Sequence, residues 1–195
     1  MTEGTITDHD GRVTYRYERY LRHPVDVAWK AITDPDEIER WTGNRPEIDL
    51  QPGGDYISYH RGGDRVVDRI TRMEPPRLLE HTFWVHVNPA ARVTWELSQV
   101  ENWCRLVLTH ALDIDDVRTA SHALGDDVTV ILSRNGAGWH RLLDKLAETL
   151  NGQSMAWSAQ DQQALQERYA AMLKGVTSAA YPRTGNDVAS PQSEI

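Results

Sequence analysis

Between Glu47 and Leu112, apolar residues recur at every second position in short runs broken by proline and glycine. That period belongs to strands with one buried face. Glu47–Leu50 is stopped by Pro52-Gly53-Gly54. Tyr56–His60 and Val66–Met73 flank Gly62-Gly63, which reads as a hairpin turn, and Pro75-Pro76 closes the second run. Leu78–Val87 sets Leu79, His81, Phe83, Val85 and Val87 on one side. Val93–Val100 groups Val93, Trp95 and Leu97, and Arg105–Leu112 groups Leu106, Leu108, His110 and Leu112. The period then changes. Over Gly138–Leu150, Trp139, Leu142, Leu143, Leu146 and Leu150 share one face of a helix with a wide apolar stripe.

The segments before this series prepare it. Val13–Leu21 alternates, with Val13, Tyr15, Tyr17, Arg19 and Leu21 on one face. Pro24 suits a first helical turn, and Val27, Ala31 and Ile32 follow at helical spacing. Asp34-Pro35 breaks this helix and opens a second, which ends near Trp41. A strand, two short helices, six strands in a meander and a long helix predict a single α+β domain of helix-grip form. In it a curved antiparallel sheet wraps around a long C-terminal helix. That domain is expected over residues 13–152, after a flexible N-terminus at 1–12. Between Asp113 and Asn135 the pattern weakens: HALGDDVTVILSRNGAG fits helix and strand alike, and mostly loop or an irregular helix leading into the main helix is expected. An extra helix is expected within 153–176, where Leu165, Tyr169, Met172 and Leu173 recur at helical spacing. It would serve equally to pack on the domain, to cover a cavity or to form a homodimer contact. Residues 177–195 hold too few apolar side chains to fold and are expected to be disordered.

Composition narrows the function. The 195 residues are 39% hydrophobic, with seven Trp and one Phe, which is enough for a real core. A net charge of -8 disfavours nucleic acid or an anionic membrane as partner, since both call for a basic face. The single cysteine, Cys104, allows no internal disulfide and points to a reducing compartment. MTEGTITDHDGR has no basic segment ahead of an apolar core, so no signal peptide is expected. No run approaches the roughly 18 apolar residues of a membrane span. A cytoplasmic protein without membrane insertion is the expectation. No cofactor and no metal are expected either. His81 and His86 are five apart and would face opposite sides of a strand, and no Cys pair or HExxH occurs.

Four stretches carry a resemblance to a known family. They are YERYLRHPVDVAWKAITDPDEIERW, LQPGGDY, MEPPRLLEHTF followed by VTWEL and LVLTH, and GWHRLLDKLAETLNG. In this order they resemble the activator-of-Hsp90-ATPase-like domains of the START/Bet v 1-like (SRPBCC) superfamily. The motifs are structural, so they speak to fold more than to activity. Two departures stand out. Relatives often carry a Tyr where His81 stands and a Gly-rich loop where Glu101-Asn102-Trp103-Cys104 stands. The resemblance implies a cavity between sheet and helix that takes a small apolar or amphipathic molecule, a lipid among them. It also implies two alternatives. One is a cyclase, dehydratase or hydrolase acting on a polyketide-like substrate. The other is a stress-related chaperone partner. At 195 residues the chain is too short to include the separate N-terminal domain of the eukaryotic activators, so that last role rests on name alone.

Polar residues on apolar faces are the candidate site. Arg19 must find a partner or water, because a charge buried without either costs several kcal/mol. It would hold a ligand's carboxylate or carbonyl, or else, as is commoner, pair with a structural carboxylate. His81 and His110 would hydrogen-bond a ligand or act as acid and base near neutral pH; alone, each is more often a satisfied core histidine. Arg19 together with both histidines would be more telling than any one. Tyr17, Trp41, Phe83, Trp95 and Trp139 are core residues by default, and in a helix-grip fold such rings also line the pocket.

Overall fold

The computed structural model of the chain describes residues 3–60 and 64–177. The expected Gly62-Gly63 turn and the tail from 178 lie outside the described residues. The elements run β1 (Thr5–His9), β2 (Arg12–Leu21), α1 (Val25–Thr33), α2 (Pro35–Thr42), β3 (Glu47–Ile48), β4 (Asp55–Tyr59), β5 (Arg65–Glu74) and β6 (Leu78–Thr82). They continue with β7 (Arg92–Val100), β8 (Trp103–Asp113), α3 (Ile114–Leu124), α4 (Val128–Leu150) and α5 (Ala159–Thr177). The strands form one antiparallel sheet in the order β1-β2-β8-β7-β6-β5-β4-β3. The six strands after α2 are the expected meander, and β2 joins it along β8, with Tyr15 opposite His110 and Arg19 opposite Leu106. This is the helix-grip architecture: a curved sheet closed over the long helix α4.

Local chemistry fixes the helix ends. Asp34 caps α2 by accepting from the Asp36 and Glu37 amides, with Pro35 at the first position, and Gly43 ends the helix at φ 83°. Asp113 caps α3, and Asp127 caps α4 by accepting from the Thr129 amide. The inner face of β2 is fully buried at Val13, Tyr15 and Tyr17. Tyr15 and Tyr17 donate their hydroxyls to the α4 carbonyls of Leu132 and Gly136, at 2.9 and 2.8 Å.

Several expectations are corrected. The N-terminal segment read as flexible contains β1, paired to β2 from Thr5 opposite Arg16 to His9 opposite Arg12. Residues 114–135 are regular helix apart from the short link at 125–127. They form α3 and the first two turns of α4, which begins at Val128 rather than Gly138. Gly136 and Gly138 weaken the helical signal, yet Gly136 is needed: a Cβ there would sit 2.6 Å from Tyr169 Cδ1 and 2.9 Å from Tyr15 Cε1. Close packing on both sides outweighs a helix-propensity loss of about 1 kcal/mol. The strand read as Leu78–Val87 stops at Thr82, and Trp84 at φ 52° turns the chain, leaving Val87 exposed. In α1 the buried positions are Ala28, Ala31, Ile32 and Thr33, with Val27 turned to solvent.

Candidate functional site

Helix α2, the β4–β7 half of the sheet and the middle of α4 line a partly open cavity of about 190 Å³. Ile38 and Trp41 come from α2, Trp95 from β7, Trp139 and Leu142 from α4, and Phe83 from the turn after β6. The wall is thus mainly aromatic. Trp41 and Trp95 meet edge-on at 6.5 Å, and Trp95 and Trp139 at 5.8 Å. Each indole nitrogen is engaged. Trp41 donates to the Ala31 carbonyl at 2.9 Å, Trp139 to His110 Nδ1 at 2.8 Å, and Trp95 approaches His81 Nε2 at 3.4 Å.

The polar side of the cavity belongs to β4, β5 and β6, through Tyr56, Ser58, Asp68 and His81, with His60 just past β4. The Tyr56 and His81 rings stack at 4.4 Å and 1° between planes. His81 Nδ1 lies 2.6 Å from the Thr82 carbonyl, a contact that requires its hydrogen on Nδ1 and leaves Nε2 as an acceptor. Burial holds His81 below the usual histidine range, against the opposing pull of the Thr82 bond and of the Asp68 and Glu80 charges. Burial likewise lowers His60. Burial, and then the Asp68 charge, raises the Tyr56 phenol, which therefore stays protonated as a donor. Asp68 accepts from Thr82 Oγ1 at 2.9 Å and from the Trp84 and Val85 amides at 3.1 and 3.2 Å. It holds the turn that carries Phe83 to the cavity. None of its bonds goes to His81, so among the described residues no carboxylate hydrogen-bonds that imidazole.

The sequence-predicted residues divide in two. Trp41, His81, Phe83, Trp95 and Trp139 line the cavity; Arg19, Tyr17 and His110 do not. His110 lies behind the wall, fully buried, with Phe83 at 4.9 Å and Trp139 bonded to it. Burial holds its pKa down to about 3, with the neighbouring His81 adding to the shift and Asn135 opposing it. It positions an indole as a neutral imidazole, accepting through Nδ1 with its one ring hydrogen on Nε2. Arg19 pairs with Asp144 on α4 at 3.0 Å, the structural alternative. Tyr17 is committed to the Gly136 carbonyl. Arg19, His81 and His110 therefore do not converge. Sequence reading missed Tyr56 and Asp68. A signal existed for Asp68: it sits between Val66 and Ile70 on the buried face of β5, as Arg19 sits between Tyr17 and Leu21.

A sheet gripping a helix around an aromatic-walled cavity defines a helix-grip protein with a small-molecule-sized interior. Residues 22–151 match the family described as activator of Hsp90 ATPase homolog 1-like protein, and the chain belongs to that family. No curated protein matches it. Among solved structures it is similar to CalU16 from Micromonospora echinospora, with 26% identity and a TM-score of 0.68 over 88% of this chain and 97% of that one. A conserved protein of unknown function from Enterococcus faecalis shares the fold at 16% identity and a TM-score of 0.71, over 89% of this chain and 91% of that one. DynU16, from the dynemicin biosynthetic locus, shares it at 22% identity and a TM-score of 0.57, over 76% of this chain and 51% of that one. No helix among the described residues is long and apolar enough to cross a membrane.

Proposed function

We propose that this protein binds a small, largely apolar molecule in the cavity between α2, α4 and the β4–β7 half of the sheet. The observation that carries this reading is an aromatic wall of Trp41, Phe83, Trp95 and Trp139 facing a few hydrogen-bonding groups, Tyr56 and His81 foremost. That combination of apolar surface with sparse, placed polar atoms is the usual make-up of a ligand pocket. Size limits the guest. A dry cavity of about 150 Å³ holds benzene, so about 190 Å³ suits one ring with a short substituent. Burial would supply roughly 25 cal/mol per Å² of apolar surface before association costs, which for so small a guest means modest affinity.

The acid–base reading has less support. His81 lacks a carboxylate partner, and Arg19, the group needed to stabilise an oxyanion, is held by Asp144.

The test is a panel of one-ring compounds followed by thermal shift and by tryptophan and histidine NMR. Saturable stabilisation, with shifts at His81 and Trp139, is expected, and Trp139→Phe should alter the size preference. Absence of saturable binding by the whole panel would remove the proposal.

A further inference from the structure

Among the described residues lining the cavity, Asp68 is the one acidic side chain, and neither lysine nor arginine accompanies it. It is 1% exposed and makes no ion pair among the described residues. Its three hydrogen bonds come from neutral donors, two to Oδ1 and one to Oδ2. A carboxylate can accept about four, so Oδ2 retains capacity. A buried charge compensated only by neutral groups is costly, and a guest that brings the opposite charge recovers that cost. Independently, much of the remaining lining is made of ring systems. The faces of Trp, Tyr and Phe rings attract cations, and groups of such rings are a known way to bind ammonium ions. His60 and His81 do not compete as counter-charges, since burial lowers both.

We propose that the cavity selects a guest bearing an ammonium group, with Asp68 as counter-charge and the rings of Trp41, Trp95 and Trp139 as the cation-attracting wall. This rests on the cavity being the binding site. The ligand class is then a small aryl or alkyl amine, and carboxylic acids of similar size are rejected by the Asp68 field.

A charge series on one scaffold tests this at neutral pH: 2-phenylethylammonium, 2-phenylethanol and 3-phenylpropanoate, by calorimetry or NMR titration. The ammonium compound should bind about tenfold tighter than the alcohol, and the carboxylate more weakly than either. Asp68→Asn should bring ammonium and alcohol to within about threefold of each other while alcohol binding persists. Because Asp68 also holds the turn at Trp84, the ranking by the unaltered protein decides the question if the variant does not fold. Alcohol binding with no preference for ammonium overturns this inference alone. Failure of all three probes overturns it together with the reading on which it rests.

Discussion

Arg19 on β2 and Asp144 on α4 form a buried ion pair in which Nε and Nη2 both reach Oδ1, at 3.2 and 3.0 Å. The arginine also donates through Nη1 to the Glu18 carbonyl at 3.0 Å. On the far side of the carboxylate, His140 Nε2 lies 3.2 Å from Oδ2, and His140 Nδ1 lies 3.0 Å from the Tyr169 hydroxyl of α5. The chain of polar contacts therefore runs from strand through helix to the C-terminal extension, which closes on Gly4 through its amide at 3.1 Å from Tyr169 Oη.

Removing one member of the pair should cost far more than removing both. Arg19→Met leaves a fully buried carboxylate without its cation and is expected to destabilise by about 3–5 kcal/mol. Arg19→Met combined with Asp144→Leu should recover much of that loss. Urea denaturation of the single and double variants measures it, and a single-variant cost under about 1 kcal/mol would show that the pair does not behave as buried.

His110 makes folding sensitive to mild acid. Its folded pKa of about 3 lies below the ordinary value of about 6.5 that it regains on unfolding. Between those values the unfolded chain binds a proton that the folded chain does not, so stability is whole above about pH 6.5 and falls as pH drops. From this residue the loss should be about 2 kcal/mol by pH 5. His110→Gln should flatten that part of the curve, and the His110 ring resonances of the folded protein should not titrate over the same range. A ring that titrates near pH 6 would contradict the assignment.

Gly136→Ala reverses the usual helix preference. Alanine is the better helix former by about 1 kcal/mol, but its Cβ would press into the rings of Tyr15 and Tyr169. A net destabilisation of about 1–3 kcal/mol is expected. Thermal unfolding checks it, and an unchanged or raised midpoint would mean that the rings yield.

The fold was legible where one face of an element is buried and the other wet. The burial of β2 alternates along its length, so its residues announce both strand and register. β1 escaped because Thr5–His9 is half exposed and acquires its meaning from pairing with β2. The start of α4 escaped because its glycine answers two tyrosines distant in sequence. The site was legible in its apolar part, since inward spacing finds Trp95, Trp139 and His81. Whether an inward polar residue meets a cavity or a partner depends on what faces it. Arg19 meets Asp144, 125 residues away, and Asp68 meets the turn at Trp84. No spacing rule records either encounter.

Along α4, residues with different duties interleave. Trp139 and Leu142 line the cavity, while His140 and Asp144 turn toward Arg19 and Tyr169. The family match ends at 151, so α5 lies beyond it and is fastened to the second of these sets. The side chains of α4 that meet a guest are thus not the ones that meet the extension. One helix thereby offers two separate routes for divergence, one through the guest it accommodates and the other through what is joined to its back.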